Sequence, residues 1–331
     1  MPIFETECLV TPADMEQALR SDVACGLSGM PKEVPPKWFY DEKGSELFDE
    51  ITRLDEYYPT RRERAILTKY AEDIAKSSGA VTLMELGAGS GDKTRTLLDA
   101  LICEGTLQSY VPVDVSREFL LDSAAKIAAD YSELRIHAVA ADHDRHLALL
   151  PHGERCLIAF LGSTIGNMAP QERARFLGGL RRIMGPDDSL LLGVDLVKDR
   201  SRLVRAYDDV RGVTAAFNLN LLSVLNRGLG ADFDPAKFRH VAVWDDVHER
   251  IEMRLRSTCD QTVVLRDLGL EVSFAVGEEM RTEISSKFRR PGVQRELAAA
   301  GLELAHWWVD PDGDYALCLA RPVRRASSAL L

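Results

Sequence analysis

No two cysteines of this 331-residue chain stand in a Cys-x-x-Cys spacing. The six that occur, Cys8, Cys25, Cys103, Cys156, Cys259 and Cys318, are scattered, and no cysteine–histidine spacing suits zinc. The seven histidines show no paired metal spacing either. Reduced thiols, a cytoplasmic location and a metal-free chemistry are therefore expected. Long apolar runs are missing too. None approaches the roughly 20 residues that span a bilayer. The opening "MPIFETECLV" lacks the basic-then-apolar order of a signal peptide. Basic residues are outnumbered 41 to 52, a net charge of −11, which argues against a broad nucleic-acid-binding face. Repeats and low-complexity tracts are absent. What is present is 46% hydrophobic residues, enough for a sizeable core in two domains, or one with an insertion. The expected partner is a small molecule, with no nucleic acid and no membrane, and the chain is expected to act as a monomer.

After an amphipathic helical segment, "RRERAILTKYAEDIAKSSG", apolar strands and helices alternate. "VTLMEL", "YVPVDVS", "LRIHAVAAD", "RCLIAFLGST" and "SLLLGVDLV" are strand-like. "DKTRTLLDAL", "REFLLDSAAKIAADY" and "PQERARFLGGLRRIM" are helical. This rhythm predicts a doubly wound α/β sheet. It stops near Lys198, where a helical "SRLVRAYDDVRGVTAAFNLNLLSVLNRGL" precedes short alternating runs expected to pair antiparallel. It returns with "RPGVQRELAAAGL" and closes with two strands around a "DPDGD" turn. Two discontinuous domains follow from this: residues 61–197 with 285–322 as the sheet domain, and residues 1–60 with 198–284 as a cap over the sheet's C-terminal edge, where ligand sites often lie.

The chemistry centres on "MELGAGSGDKTRTLLDAL". Gly87, Gly89 and Gly91 alternate, and neither the dinucleotide fingerprint nor a phosphate-binding P-loop is met. A glycine loop entered by Glu85 in the strand suits a ligand without phosphate, such as S-adenosylmethionine, whose ribose and amino-acid end the bare backbone can approach. Asp114 ends the second strand and can accept from ribose hydroxyls. Asp142 ends the third and can accept from the adenine amino group. Loop and acids together predict a Rossmann-type class I methyltransferase sheet. Each aspartate taken singly also reads as a helix cap.

Longer motifs carry a further resemblance. "PPKWFYDEKGSELFDEITRLDEYYPTRRE", "FLGSTIGN", "LLGVDLVKD", "RLVRAYDDVRGVTAAFNLN", "HERIEM" and "GEEMRTEISSKF" together resemble the L-histidine Nα-methyltransferases of ergothioneine biosynthesis. The resemblance covers nearly the whole chain. It implies trimethylation of the α-amine of histidine to hercynine with S-adenosyl-L-methionine as cofactor. It also implies roles at matching positions. Asn167 and Tyr207 would hold the substrate carboxylate, and Tyr57, Glu283 and Ser285 the imidazole. Tyr40 would sit near the amine, with Tyr40 and Asn167 orienting its lone pair, and Met253 would wall the side-chain pocket. Gly87, Lys93, Asp114, Asp142 and Gly162 would line the cofactor site. His143 stands where the family commonly has an aromatic residue beside the adenine, and Gly91 would loosen the glycine loop.

These assignments make chemical sense. An imidazole has one donor and one acceptor nitrogen. A carboxylate takes the first, and a hydroxyl can serve the second. A ring without the donor would leave Glu283 desolvated and unpaired. An arginine for the substrate carboxylate is expected, and the resemblance assigns none to it. Alternative readings stay open. The three tyrosines also fit ordinary core packing. Glu283 and Lys287 fit a surface helix pair, and Asn167 a helix cap. At the level of function the alternatives are a methyltransferase for another aromatic amino acid or indole amine, a nucleotide-dependent oxidoreductase, and a non-catalytic sensor of S-adenosylmethionine.

Overall fold

The computed structural model describes residues 4–89 and 91–324, apart from the side chains of Asp92, His143 and Asp144. Its strands in chain order are β1 (Phe4–Cys8), β2 (Lys32–Glu33), β3 (Thr82–Leu86), β4 (Ser109–Asp114), β5 (Arg135–Ala140), β6 (Cys156–Phe160), β7 (Ser189–Asp195), β8 (Phe238–Asp245), β9 (Arg250–Ser257), β10 (Gln261–Leu265), β11 (Leu270–Phe274), β12 (Glu279–Ser286), β13 (Leu302–Val309) and β14 (Tyr315–Pro322). The chain divides into two compact units: residues 1–10, 62–196 and 288–331, and residues 11–61 and 197–287.

The first unit is built on an eight-stranded sheet of order β1-β5-β4-β3-β6-β7-β14-β13. The pairs from β1 through β7 run parallel, and β14 lies antiparallel between β7 and β13. Every residue of β3, β6 and β7 is buried, as strands covered by helices on both faces must be. Leu83 and Leu157 belong to one apolar layer, Met84, Leu86 and Ile158 to the other. This is the expected doubly wound α/β sheet, with its closing antiparallel hairpin.

The N-terminal strand departs from the expected division at residue 60. β1 adds to the edge of this sheet, pairing with β5 from Phe4↔Ile136 to Cys8↔Ala140. Its largely exposed "FETEC" has too little apolar content to announce a strand.

The second unit has a four-stranded sheet, β2-β12-β9-β8, and the hairpin β10-β11. One apolar cluster joins Leu221, Leu222 and Leu225 of helix Val213–Leu229 to Ile251, Met253 and Leu255 of β9 and to Met280 of β12. The long helical run predicted after Lys198 is broken into Arg200–Tyr207 and Val213–Leu229. Asp209 accepts from the N–H groups of Val213 at 3.0 Å and Thr214 at 2.8 Å, restarting the second helix. β12 continues to Ser286, so the expected boundary at residue 284 falls inside a strand.

Candidate active site

In the first unit, β3 ends at Leu86 and the chain turns through Gly87 (φ +71°), Gly89 (φ +54°) and Gly91 (φ +71°) into helix Asp92–Cys103. These left-handed conformations favour glycine. A Cβ at Gly87 would have nothing within 4 Å, so the backbone is open there. Gly91 is the N-cap of the helix, and a Cβ there would come within 3.0 Å of Ile127 and Ser123. It is a packed requirement of the turn rather than the loosening residue expected. Asp114 accepts from the Gly89 N–H at 3.2 Å with one oxygen and from the Ser116 N–H at 3.0 Å with the other. It therefore braces the glycine turn from the end of β4. Asp142 follows β5, and its carbonyl accepts from the N–H groups of Arg145 and His146 at the start of a short helix. His143 opens that helix, and its side chain lies outside the described residues.

Glu63, on helix Pro59–Ser78, ties this half together. It is fully buried. One carboxylate oxygen accepts from the Gly162 N–H at 2.7 Å and from the Tyr315 hydroxyl at 2.7 Å. The other lies 2.5 Å from Lys93 Nζ. Gly162 (φ +74°) leads into the turn Thr164–Asn167. Asn167 is not the cap of the following helix, because Ala169 holds that position. Glu85 accepts from Thr94 at 2.5 Å and Tyr110 at 2.8 Å, and burial pushes its carboxyl up to about 7. It fastens β3 to the helix after the loop.

In the second unit, Tyr40, Phe48, Tyr57 and Tyr207 follow one another edge to face, with ring centroids 5.5, 6.2 and 6.1 Å apart in that order. Phe217 packs on Tyr40 at 5.7 Å and Phe48 at 5.9 Å. Tyr57 and Tyr207 are buried, whereas Tyr40 is 38% exposed. Asp41, next in sequence, accepts from Gly44 N–H and Asn220, both at 2.7 Å, and pairs with Arg227. Tyr40 is thus held at the junction of a short 3-10 turn and helix Glu42–Thr52.

A β-bulge sets the polar wall beside this aromatic row. Arg281 pairs with Arg254, but Glu283 pairs with Met253, so Thr282 is the extra residue. Met280 faces the core opposite Leu255. Strict alternation would send Thr282 and Ile284 to that same face. The bulge shifts the phase, so Glu283 lies beside Met253 and Ser285 beside Ile251 on the inner face. Thr282 itself donates to Asn218 at 2.7 Å. Asn218 donates to His240 at 2.8 Å, whose other ring nitrogen reaches the Tyr207 carbonyl at 2.8 Å. Desolvation lowers the His240 pKa. That of Glu283, which is half-buried, rises to about 7 through desolvation, opposed by Lys287. Lys287 is buried. Its Nζ lies 2.9 Å from the Tyr207 hydroxyl and 2.8 Å from Ser285 Oγ, and those two oxygens are 2.7 Å apart.

A family model described as histidine-specific, S-adenosylmethionine-dependent methyltransferase matches residues 19–322. The chain belongs to that family. It is 55% identical to the histidine N-alpha-methyltransferase of Mycolicibacterium smegmatis, over 92% of this chain and 95% of that one. It is also 55% identical to the enzyme of the same name from Mycobacterium tuberculosis, over 92% and 94%. Ergothioneine biosynthesis protein 1 of Neurospora crassa is 33% identical over 84% of this chain, which spans 32% of that longer protein.

Against this family's expected site, the structure gathers Gly87, Lys93, Asp114, Asp142 and Gly162 at or beside the C-terminal ends of parallel strands in one unit. It gathers Tyr40, Tyr57, Tyr207, Met253, Glu283 and Ser285 in the other. Asn167 belongs with the first. Glu283 and Lys287 lie on or just beyond a strand, so the alternative of a surface helix pair falls. Ser285 is bonded to Tyr207 and Lys287. Two residues escaped the sequence analysis. Glu63 sits in a charged helical run where it looks like a solvated surface group. Lys287 had a signal, because alternation from Glu283 through Ser285 puts it on the same face.

Proposed function

We propose that this chain transfers methyl groups from S-adenosylmethionine to the α-amine of L-histidine, three times in succession, giving the betaine hercynine that enters ergothioneine biosynthesis. Family membership and 55% identity to two histidine N-alpha-methyltransferases across nine-tenths of the chain support this. The structural observation that carries it is the bulged strand that sets a half-buried carboxylate, Glu283, beside Met253 on the inner face of its sheet.

The residues of the first unit fit the cofactor. The backbone over Gly87 is open, and Asp114 is fixed at the end of β4, where a vicinal diol can donate to it. S-adenosylmethionine, when bound, supplies a methyl group already activated on a sulfonium. What the chain adds is alignment, worth up to about 7–11 kcal/mol in well-oriented reactions. Asp114 binds the ribose and Asp142 the adenine amino group. Glu63 holds Lys93 and the Gly162 turn in place. In the second unit, Tyr207 donates to the substrate carboxylate and Glu283 accepts the imidazole N–H. Tyr40 orients the amine. The amine must reach the methyl group unprotonated, and a desolvated, aromatic-lined setting favours that form. The same rings suit the cation formed as methyl groups accumulate.

The deciding experiment incubates the purified protein with S-adenosylmethionine and a mixture of amino acids and follows product masses. Histidine gaining one, two and then three methyl groups is expected. Methylation of another amino acid with histidine untouched would replace this reading.

A further inference from the structure

The strand order β5-β4-β3-β6-β7 reverses between β3 and β6. In such sheets a ligand crevice opens beyond the carboxyl ends of the two strands at the reversal. Here those ends carry the glycine turn after β3 and the Gly162 turn after β6. The buried Glu63 joins the two turns. One of its oxygens accepts from the Gly162 N–H, and the other holds Lys93, in the first turn of the helix after the glycine loop. The fold makes room for this carboxylate. Gly193 lies in the middle of β7, and a Cβ there would stand 2.3 Å from Glu63 Oε1 and 2.6 Å from the Tyr315 hydroxyl. The "DPDGD" turn steadies it from outside. Asp310 accepts from the Tyr315 N–H at 2.7 Å, and Arg62, next to Glu63, pairs with Asp312 and Asp314. An ammonium has three donors. Among the described residues Glu63 takes one of those of Lys93, whose side chain stays 26% exposed. Lys93 Nζ is 3.8 Å from where a Cβ at Gly162 would stand, so bare backbone adjoins it. The crevice thus offers a cation, already held in place, to an anionic group.

We propose that Glu63 is a specificity-determining positioning residue: by holding the Lys93 ammonium at this crevice, it makes the first unit select ligands that carry the carboxylate of the methionyl end. The inference rests on the S-adenosylmethionine reading above and deepens it. Glu63 is fully buried and acts through Lys93, without touching the ligand itself. Two effects of its charge compete. It partly neutralises Lys93, which weakens the pull on a ligand carboxylate. It also keeps the flexible four-carbon stem of the lysine from relaxing into water, so that binding need not order it. The second effect prevails, because a lysine that is already partly exposed has solvent to retreat into once its anchor is gone. The sign of the change on removing the Glu63 charge reports which effect is larger.

The test measures dissociation constants by calorimetry for S-adenosylhomocysteine and for S-adenosyl-3-thiopropylamine, the same molecule without its carboxylate. The proteins are the parent, Glu63→Gln, Gly193→Ala, and Glu63→Gln combined with Lys93→Met. In the parent, S-adenosylhomocysteine should bind about tenfold more tightly, or better. Glu63→Gln keeps an acceptor for Gly162 and Tyr315 but turns an amide donor towards the ammonium, and the preference should fall towards unity. Gly193→Ala intrudes on the carboxylate with every charge kept, and should lower the preference too. Adding Lys93→Met to Glu63→Gln should change it no further. A preference that survives or rises in Glu63→Gln, including equal weakening of both ligands, would make Glu63 a structural brace and overturn the proposal. So would a parent that does not distinguish the two ligands, or a large further fall on adding Lys93→Met. Should circular dichroism show Glu63→Gln unfolded, Gly193→Ala decides alone, and a preference it leaves intact sinks the idea. A parent that binds neither ligand ends the cofactor reading and the proposal together. If the preference collapses as expected in a protein that methylates no histidine, the histidine reading fails and the role of Glu63 stands.

Discussion

Asp114 accepts from two backbone N–H groups, one of them on the glycine turn, and so joins the loop to the diol it is proposed to bind. Asp114→Ala removes both functions. It should weaken S-adenosylmethionine by on the order of 1.5–3 kcal/mol or more, read by calorimetry, while circular dichroism stays unchanged. Unaltered cofactor affinity would remove Asp114 from the site. Glu283 and Met253 are cross-strand partners, so their effects on the side-chain pocket should couple. Glu283→Ala should reduce kcat/KM for histidine roughly 10–150-fold. Combined with Met253→Val it should admit tryptophan better than the parent does. A histidine-to-tryptophan ratio that stays constant across the four proteins would show that this pair does not read the side chain. The strand-end positions of Asp114 and Asp142 were legible in the sequence, because each acid closes an apolar run. The place of Glu63 was not, because its partners Gly162 and Tyr315 lie far along the chain.

Local pattern located the strands and helices of the sheet well, since buried parallel strands such as "TLMEL" and "SLLLGVD" advertise themselves by continuous apolarity. It could not locate the bulge. An extra residue leaves no mark on composition, yet it decides whether Glu283 or Thr282 lines up with Met253. The bulge is pinned by the chain of bonds from Thr282 through Asn218 and His240 to the Tyr207 carbonyl. Thr282→Val keeps the shape and removes the hydroxyl, leaving the Asn218 carbonyl oxygen short of a donor. A loss of about 1–3 kcal/mol in urea unfolding is expected, together with a raised KM for histidine and an unchanged affinity for S-adenosylmethionine. A KM that does not move would separate the bulge from the substrate side.

Among the described residues, burial lifts a carboxyl to about 7 in each unit, Glu85 in the first and Glu283 in the second. Both bind their proton more tightly folded than unfolded. They therefore support the fold at acid pH, and that support is lost as pH rises from 4.5, their ordinary value, through about 7. Glu283→Gln should accordingly gain in melting temperature relative to the parent at pH 8 and gain least at pH 5. A difference independent of pH would contradict the shift. The two-unit organisation was visible from the sequence wherever the α/β rhythm stopped, and invisible at β1, whose pairing is decided by an edge 127 or more residues away rather than by its own five side chains.

The placement of β14 has a consequence for how the protein is made. This strand comes last in sequence among the fourteen, yet it lies inside the large sheet, between β7 and β13. A ribosome that has delivered everything up to residue 300 has released a β7 whose seven residues are all destined for burial and whose outer edge has no partner. Such an edge invites pairing with another chain. Nascent chains stalled before Tyr315 should therefore be substrates for chaperones rather than partly working enzymes, and the unit that carries the glycine turn becomes whole only once β14 has been made.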